Sequence, residues 1–366
     1  MEGIPIGCPL LKNGNMKIFA CPVCDSDIYF ENIQCGSCKT QLGFDAERLE
    51  FSVFSNNQIH IDSDADTRKR LCANSTFNVC NWLVEAESDT LCKCCQLNGV
   101  VPDIGDAESY EKWQKLEFAK HRLVYQLLLL CLPMAPKKDN NDEGLTFDFL
   151  SKDNPDGLMT GHANGTITIL LNEADSVERE QLRKSLSEPY RTLIGHFRHE
   201  VGHYYWPYLI RGERLIEFRT LFGDESVDYG KSLKAHYKNG APSDWSDSYI
   251  SVYASCHPWE DWAETWAHYL HLLDTLETAH WSGMGLTMCK RGSIPERCPN
   301  PYFVENFKEI FDWSVALCIA GNSLNRSMGL PDIYPFVIPD KVYYKLEFIH
   351  NLMLELNSTP TLAFRR

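Results

Sequence analysis

His199-Glu200-Val201-Gly202-His203 sits inside RTLIGHFRHEVGHYYWP, residues 191 to 207, and its reading decides the fold. Residues four apart stack on one face of an α-helix, so His199 and His203 can offer two imidazole nitrogens to a single metal ion. Glu200 falls beside them, where a carboxylate can take a proton from a metal-activated water. Leu193, Ile194, Phe197 and Val201 recur at helical spacing and predict a helix with one buried face. Pro189 suits the first turn of a helix starting near Glu188, and Pro207 predicts a stop or kink.

A hydrolytic zinc site takes three protein ligands and leaves one position open. The third is expected from HPWEDWAETWAHYLHLLDTLE, residues 257 to 277, a tryptophan-rich helix that carries Glu260, Glu264, His268 and His271 along one face. Charged groups on a buried helix need partners, and a metal supplies one. Glu264 is the preferred ligand, with Glu260 the alternative, because the small Ala263 precedes Glu264 and His268 lies one turn beyond it to support it. His257, Tyr253 and Tyr249, just ahead of this helix, are candidates to stabilise an oxyanion, and His257 is expected to join Glu200 as a catalytic residue.

Fifteen cysteines punctuate the chain. Cys21-x2-Cys24 and Cys35-x2-Cys38 form two short loops able to present four thiolates tetrahedrally, the pattern of a zinc ribbon, although an iron site of rubredoxin type uses the same geometry. Cys72, Cys80, Cys92 and Cys95 make a second, less regular set, in which Cys94 competes with Cys95 for one position. Thiolates reserved for metals fit a reducing compartment, so a cytoplasmic location is expected.

Four segments carry a resemblance: RTLIGHFRHEVGHYYW, LFGDESVDY, YASCHPWEDWAETWAHYLH and NRSMGLPDIYPFVIP. Together with the cysteine sets they are similar to a bacterial family that joins a zinc ribbon to a zinc-binding metallopeptidase. The resemblance implies a gluzincin-like peptidase that binds zinc through His199, His203 and Glu264 and uses Glu200 as general base. It also implies that the second cysteine set, with its Cys80-Asn81-Trp82 element, holds metal. The expected complement is one catalytic and two structural zinc ions. The expected partner is a protein or peptide substrate.

Composition narrows the remaining classes. The formal net charge is -15, and residues 17 to 44 hold two lysines against three acids, so neither the whole nor the ribbon offers the basic footprint of phosphate binding. Nucleic acid is therefore not an expected partner, and the ribbons are read as structural staples or a protein-recognition surface. The amino-terminal stretch lacks the sustained apolar core of a signal peptide, and the apolar run from Leu123 to Met134 is too short to span a bilayer. A non-peptide amide hydrolase and a non-catalytic zinc scaffold would share the same motif.

The expected fold is α+β: a mostly helical zincin-like metallopeptidase domain with a small sheet, preceded by small Cys-rich modules. Its parts are an N-terminal tail (1–16), a zinc ribbon (17–48), a linker (49–66), a second Cys-rich module (67–106) and the peptidase domain (107–366). LTFDFL and TITILLN read as strands and suggest a hairpin, and SYEKWQKLEFAKHRLVYQLLLLCL reads as an amphipathic helix from Ser109.

Overall fold

The computed structural model describes residues 18–55, 58–59, 69–85, 90–154, 157–185, 191–287 and 296–358. The expected tail, and the parts of the expected linker at 56–57 and 60–66, lie outside the described residues. The chain divides into two compact units, one of Gly7–Thr160 with Gly165–Ala174, the other of Met1–Ile6, Gly161–Asn164 and Asp175–Arg366.

The first of these units begins with β1 (Phe19–Ala20) paired antiparallel to β2 (Asp27–Ile28). β3 (Gln41–Asp45) then pairs with β4 (Glu50–Ser55), and β4 with β5 (Gln58–Ile59). The expected linker is corrected here: it opens as a strand, because Phe51 alternates inward and meets Phe19 and Phe44 with ring centroids 5.0 and 5.5 Å apart. β6 (Lys69–Leu71) and β7 (Leu83–Glu85) form another antiparallel pair. α1 (Ala107–Leu129) follows, its N-terminus capped by Asp106, which accepts from the Ser109 amide at 2.9 Å.

α1, which the sequence reading places at the start of the peptidase domain, falls in this compact unit. Its Tyr125 packs on Phe30 and Phe44, its Trp113 on Phe77 and its His121 on Trp82, so the cysteine-bearing loops cover its apolar face. Lys120, fully buried, is tied to Glu117 at 2.8 Å and also donates to Asn98. β8 (Thr146–Leu150) completes this sheet chemistry by pairing with β10 (Thr166–Leu170). That pairing is parallel, Thr166 opposite Thr146, which corrects the expected hairpin between the two strands: β9 (Gly161–Ala163) intervenes and reverses the chain. Asn164 and Gly165 follow with φ of 48° and 79°, the signs a two-residue turn demands.

The other unit is helical. α2 (Ser176–Ser185) precedes α3 (Leu193–Leu209), which starts later than expected, at Thr192, whose hydroxyl accepts from the Gly195 amide. α3 runs through Pro207 and ends two residues on. α4 (Glu213–Phe222) and α5 (Tyr229–Asn239) lead to α6 (Pro258–Trp281). A short pair, β11 (Gly285–Leu286) with β12 (Glu296–Arg297), precedes α7 (Phe307–Ser327) and α8 (Asp340–Ser358). α6 is the hub, packing against α3, α7 and α8 and burying Trp262, Trp266, Tyr269, Leu270 and Leu273 completely. The fold is α+β with small sheets and a Cys-rich amino-terminal region, as the sequence leads one to expect. No helix among the described residues is long and apolar enough to cross a membrane.

Candidate metal centres

α3 and α6 approach closely because Gly202 has no side chain. A Cβ there would lie 3.1 Å from the Trp266 ring and 3.2 Å from the Ala263 backbone, and Trp262 donates its indole N–H to the Gly202 carbonyl at 2.8 Å. This contact brings the two histidines of α3 against the acids of α6. His199 Nε2 lies 3.2 Å from His203 Nε2, and both face Glu260 Oε2, at 3.0 and 3.3 Å.

Those separations suit a metal. Ligands about 2.1 Å from a tetrahedral ion stand roughly 3.4 Å apart. Glu260 Oε2 is buried and has no hydrogen bond, and with the two Nε2 atoms it forms a group of three possible ligand atoms. Without an ion, burial pushes the Glu260 carboxyl up, but the charges of His203 and His199 hold it well below the usual carboxylate range.

Glu264, the ligand expected from the sequence, lies elsewhere on the His199 ring. Glu264 is one turn along α6 and reaches the opposite edge of the His199 ring, accepting from Nδ1–H at 2.7 Å. That bond leaves the lone pair of His199 on Nε2, aimed at the convergence point. Burial raises the Glu264 carboxyl, yet His199 holds it at about 2. Among the described residues, the atoms grouped closely enough to hold a metal are those of His199, His203 and Glu260, while Glu264 meets the far edge of the His199 ring.

His257 is corrected as well. Its Nδ1 caps α6 by accepting from the Trp259 amide at 3.1 Å, and its Nε2–H donates to the Val227 carbonyl at 3.0 Å. Both nitrogens are committed to backbone, so no part of the ring is left for a reacting oxygen. Tyr249 lies under the Lys345 ammonium, 4.6 Å from its ring centre. Tyr253 remains beside the site, its ring 6.0 Å from that of His199. Glu200 is buried on α3, and its carboxylate makes no hydrogen bond or ion pair among the described residues.

Two residues join the site that sequence reasoning missed. Tyr229, the first residue of α5, donates its hydroxyl to Glu260 Oε1 at 2.7 Å. Burial, then the charge of Glu260, push that hydroxyl well above its ordinary range, so it stays a donor. His162 of β9 lies nearly parallel to His203, centroids 6.4 Å apart with 10° between planes. Neither shows a spacing signal, since both come from segments remote in sequence.

The thiolates assemble as the sequence predicts. Cys21, Cys24, Cys35 and Cys38 converge, with sulfurs 3.7 Å apart for Cys21 and Cys38 and 3.6 Å for Cys24 and Cys35. The two knuckles are alike: Asp25 and Lys39, each following the second cysteine of its pair, adopt φ of 58° and 63° and return their amides to the Cys21 and Cys35 carbonyls. Cys72, Cys80, Cys92 and Cys95 converge likewise, Cys80 and Cys92 at 3.6 Å. Four sulfurs about 2.3 Å from one zinc stand roughly 3.8 Å apart. Both sets fit zinc. Backbone amides of Trp82, Cys92 and Cys95 donate to sulfurs of the second set, as expected for thiolates. Cys95, not Cys94, completes it.

Comparison with known proteins adds family context. A family model described as "Putative zinc-binding metallo-peptidase" matches residues 109–352, and one for a zinc-ribbon domain matches residues 18–106. The chain is 42% identical over 344 residues to the uncharacterized proteins Rv2568c of Mycobacterium tuberculosis and Mb2598c of Mycobacterium bovis. Each alignment covers 93% of this chain and 96% of the relative. No solved structure matches.

Proposed function

The chain belongs to this family of zinc-binding metallopeptidases with an amino-terminal zinc ribbon, and from that premise we propose that it hydrolyses peptide bonds at the His199, His203 and Glu260 centre. The observation that carries the reading is the convergence of two Nε2 atoms and one orphaned carboxylate oxygen, with Glu200 next to His199 in the chain. His199, His203 and Glu260 would hold the ion, and zinc there supplies a Lewis acid that polarises a carbonyl and acidifies water.

The chain's own groups do the rest. Glu200 takes the proton of the attacking water and returns it to the leaving amine. Glu264 keeps His199 in the tautomer whose Nε2 lone pair points inward. Tyr253 takes the oxyanion-stabilising role that His257 is unable to fill, its hydroxyl kept protonated because burial and then Glu260 push it far up. The two thiolate sets act as structural zinc staples of the Cys-rich unit, where recognition of a protein partner would also reside.

Glu200→Gln tests the reading. The amide preserves shape but accepts no proton, so cleavage of a peptide library should fall about 10^2–10^4-fold while zinc content holds. Cleavage at the unmodified rate would remove Glu200 from the mechanism. A library left intact by the zinc-loaded protein, with a small amide hydrolysed instead, would move the activity to non-peptide substrates.

A further inference from the structure

α5 is an unusual helix: it buries none of its residues, yet it reaches the metal centre. Two contacts hold its amino-terminal end. His257 Nε2–H grips the Val227 carbonyl, two residues ahead of it, and the Tyr229 hydroxyl grips Glu260 Oε1. Tyr229 also packs edge-on against His257 at 5.2 Å, and further along the helix His236 meets Tyr253 at 6.4 Å. Asp228 caps the helix through the Lys231 amide, and Gly240, at φ 76°, ends it, so α5 is bounded as a discrete element.

The position of the Tyr229 bond is what matters. Glu260 has two oxygens, and the one that faces the imidazoles is Oε2. With Oε1 bound to the phenol, rotation of the carboxylate towards two-oxygen ligation, or away from the histidines, costs a charge-assisted hydrogen bond. We infer that Tyr229 is a positioning residue of the metal centre, which restricts Glu260 to ligation through Oε2 and so couples docking of α5 to metal occupancy. The coupling is reciprocal: whatever lifts α5 releases Glu260 and weakens the metal, and metal in turn holds α5 down. Because α5 contributes no fully buried residue, this bond is one of few polar ties that hold its amino-terminal end among the described residues.

This inference rests on the reading of Glu260 as a ligand, and the experiment separates the two. Chelator competition with the full chain would measure affinity for the zinc equivalent outside the thiolate sites. Tyr229→Phe should weaken it about 10–100-fold, Glu260→Ala more, and Tyr237→Phe, exposed on the same helix, less than about twofold. In the unmodified protein, zinc should slow amide hydrogen exchange across residues 229–239, and Tyr229→Phe should abolish that slowing. Loss of zinc in Glu260→Ala with unchanged affinity in Tyr229→Phe overturns the inference alone. Retention of zinc in Glu260→Ala overturns the ligand reading beneath it. Exchange in α5 indifferent to zinc overturns the coupling without recourse to any variant.

Discussion

Single residues in the helical unit carry charge states that their burial dictates. His350 is fully buried on α8, where its Nε2–H donates to the Glu305 carbonyl at 2.9 Å and its Nδ1 meets the Tyr269 hydroxyl at 3.2 Å. Burial, only partly offset by that carbonyl, lowers its pKa from 6.5 to about 4. The sign follows: between those values the unfolded chain takes a proton that the folded chain refuses, so stability falls as pH drops through that window and is unaffected above it. The loss is of the order of 3 kcal/mol once both values are passed. His350→Gln keeps a donor and removes the titration. Urea midpoints at pH 7 and pH 4.5 should therefore show the unmodified protein losing more stability than the variant, and equal losses would place the linkage elsewhere. His268, lowered to about 4 by burial against the pull of Glu264, adds to the slope in both proteins and cancels in the comparison.

Between elements, the decisive contact is that of α3 with α6. Gly202 occupies a motif position where helix propensity favours alanine by about 1 kcal/mol, and the space beside it explains the glycine. Gly202→Ala gains that propensity and loses a comparable amount to its tight contacts with Trp266 and Ala263, so its melting temperature should stay within a few degrees. Gly202→Leu has nowhere to go. It should cost about 1–3 kcal/mol or more and, by prising the helices apart, reduce retention of the zinc held by His199, His203 and Glu260. Thermal unfolding with metal analysis checks both, and a Gly202→Leu protein with normal stability and zinc would show that close approach is not what sets ligand spacing. Arg198, buried beside the motif, cross-links the same pair of helices through His271 and Asp274, at 2.5 and 2.8 Å.

At the scale of the whole molecule, about three zinc ions per chain are the expectation, one for each thiolate set and one for the His-Glu set, and burial predicts the order of their release. Cys24 and Cys38 are exposed, whereas Cys72, Cys80, Cys92 and Cys95 are all buried. A chelator should therefore strip the first thiolate set before the second, and alkylation followed by mass analysis should find Cys24 and Cys38 modified while the second four remain protected. Simultaneous modification of all eight would show one cooperative metal unit. Packing also bears on truncation. A chain cut at Asp103 keeps α1 but removes Phe30, Phe44, Phe77 and Trp82, the residues that cover it, so the Cys-rich region is a structural partner of α1 and not a detachable accessory.

What the sequence determined alone is local: His199, Glu200 and His203 within one helix, two cysteine knuckles, and a buried acidic helix to supply a third ligand. Each depends on spacing inside a single element, where backbone geometry leaves little choice. The second thiolate set was legible too, although its irregular gaps needed the family resemblance. Which carboxylate faces Nε2 and which Nδ1 was not legible, because Glu260 and Glu264 sit on the same face of α6 and only its rotation and depth against α3, set at Gly202, decide it. Tyr229 and His162 were hidden for a related reason, being delivered from a distant helix and a distant strand. His257 misled because a histidine before a metal-ligand helix resembles a catalytic group in sequence, whereas the tertiary structure commits both its nitrogens to backbone atoms.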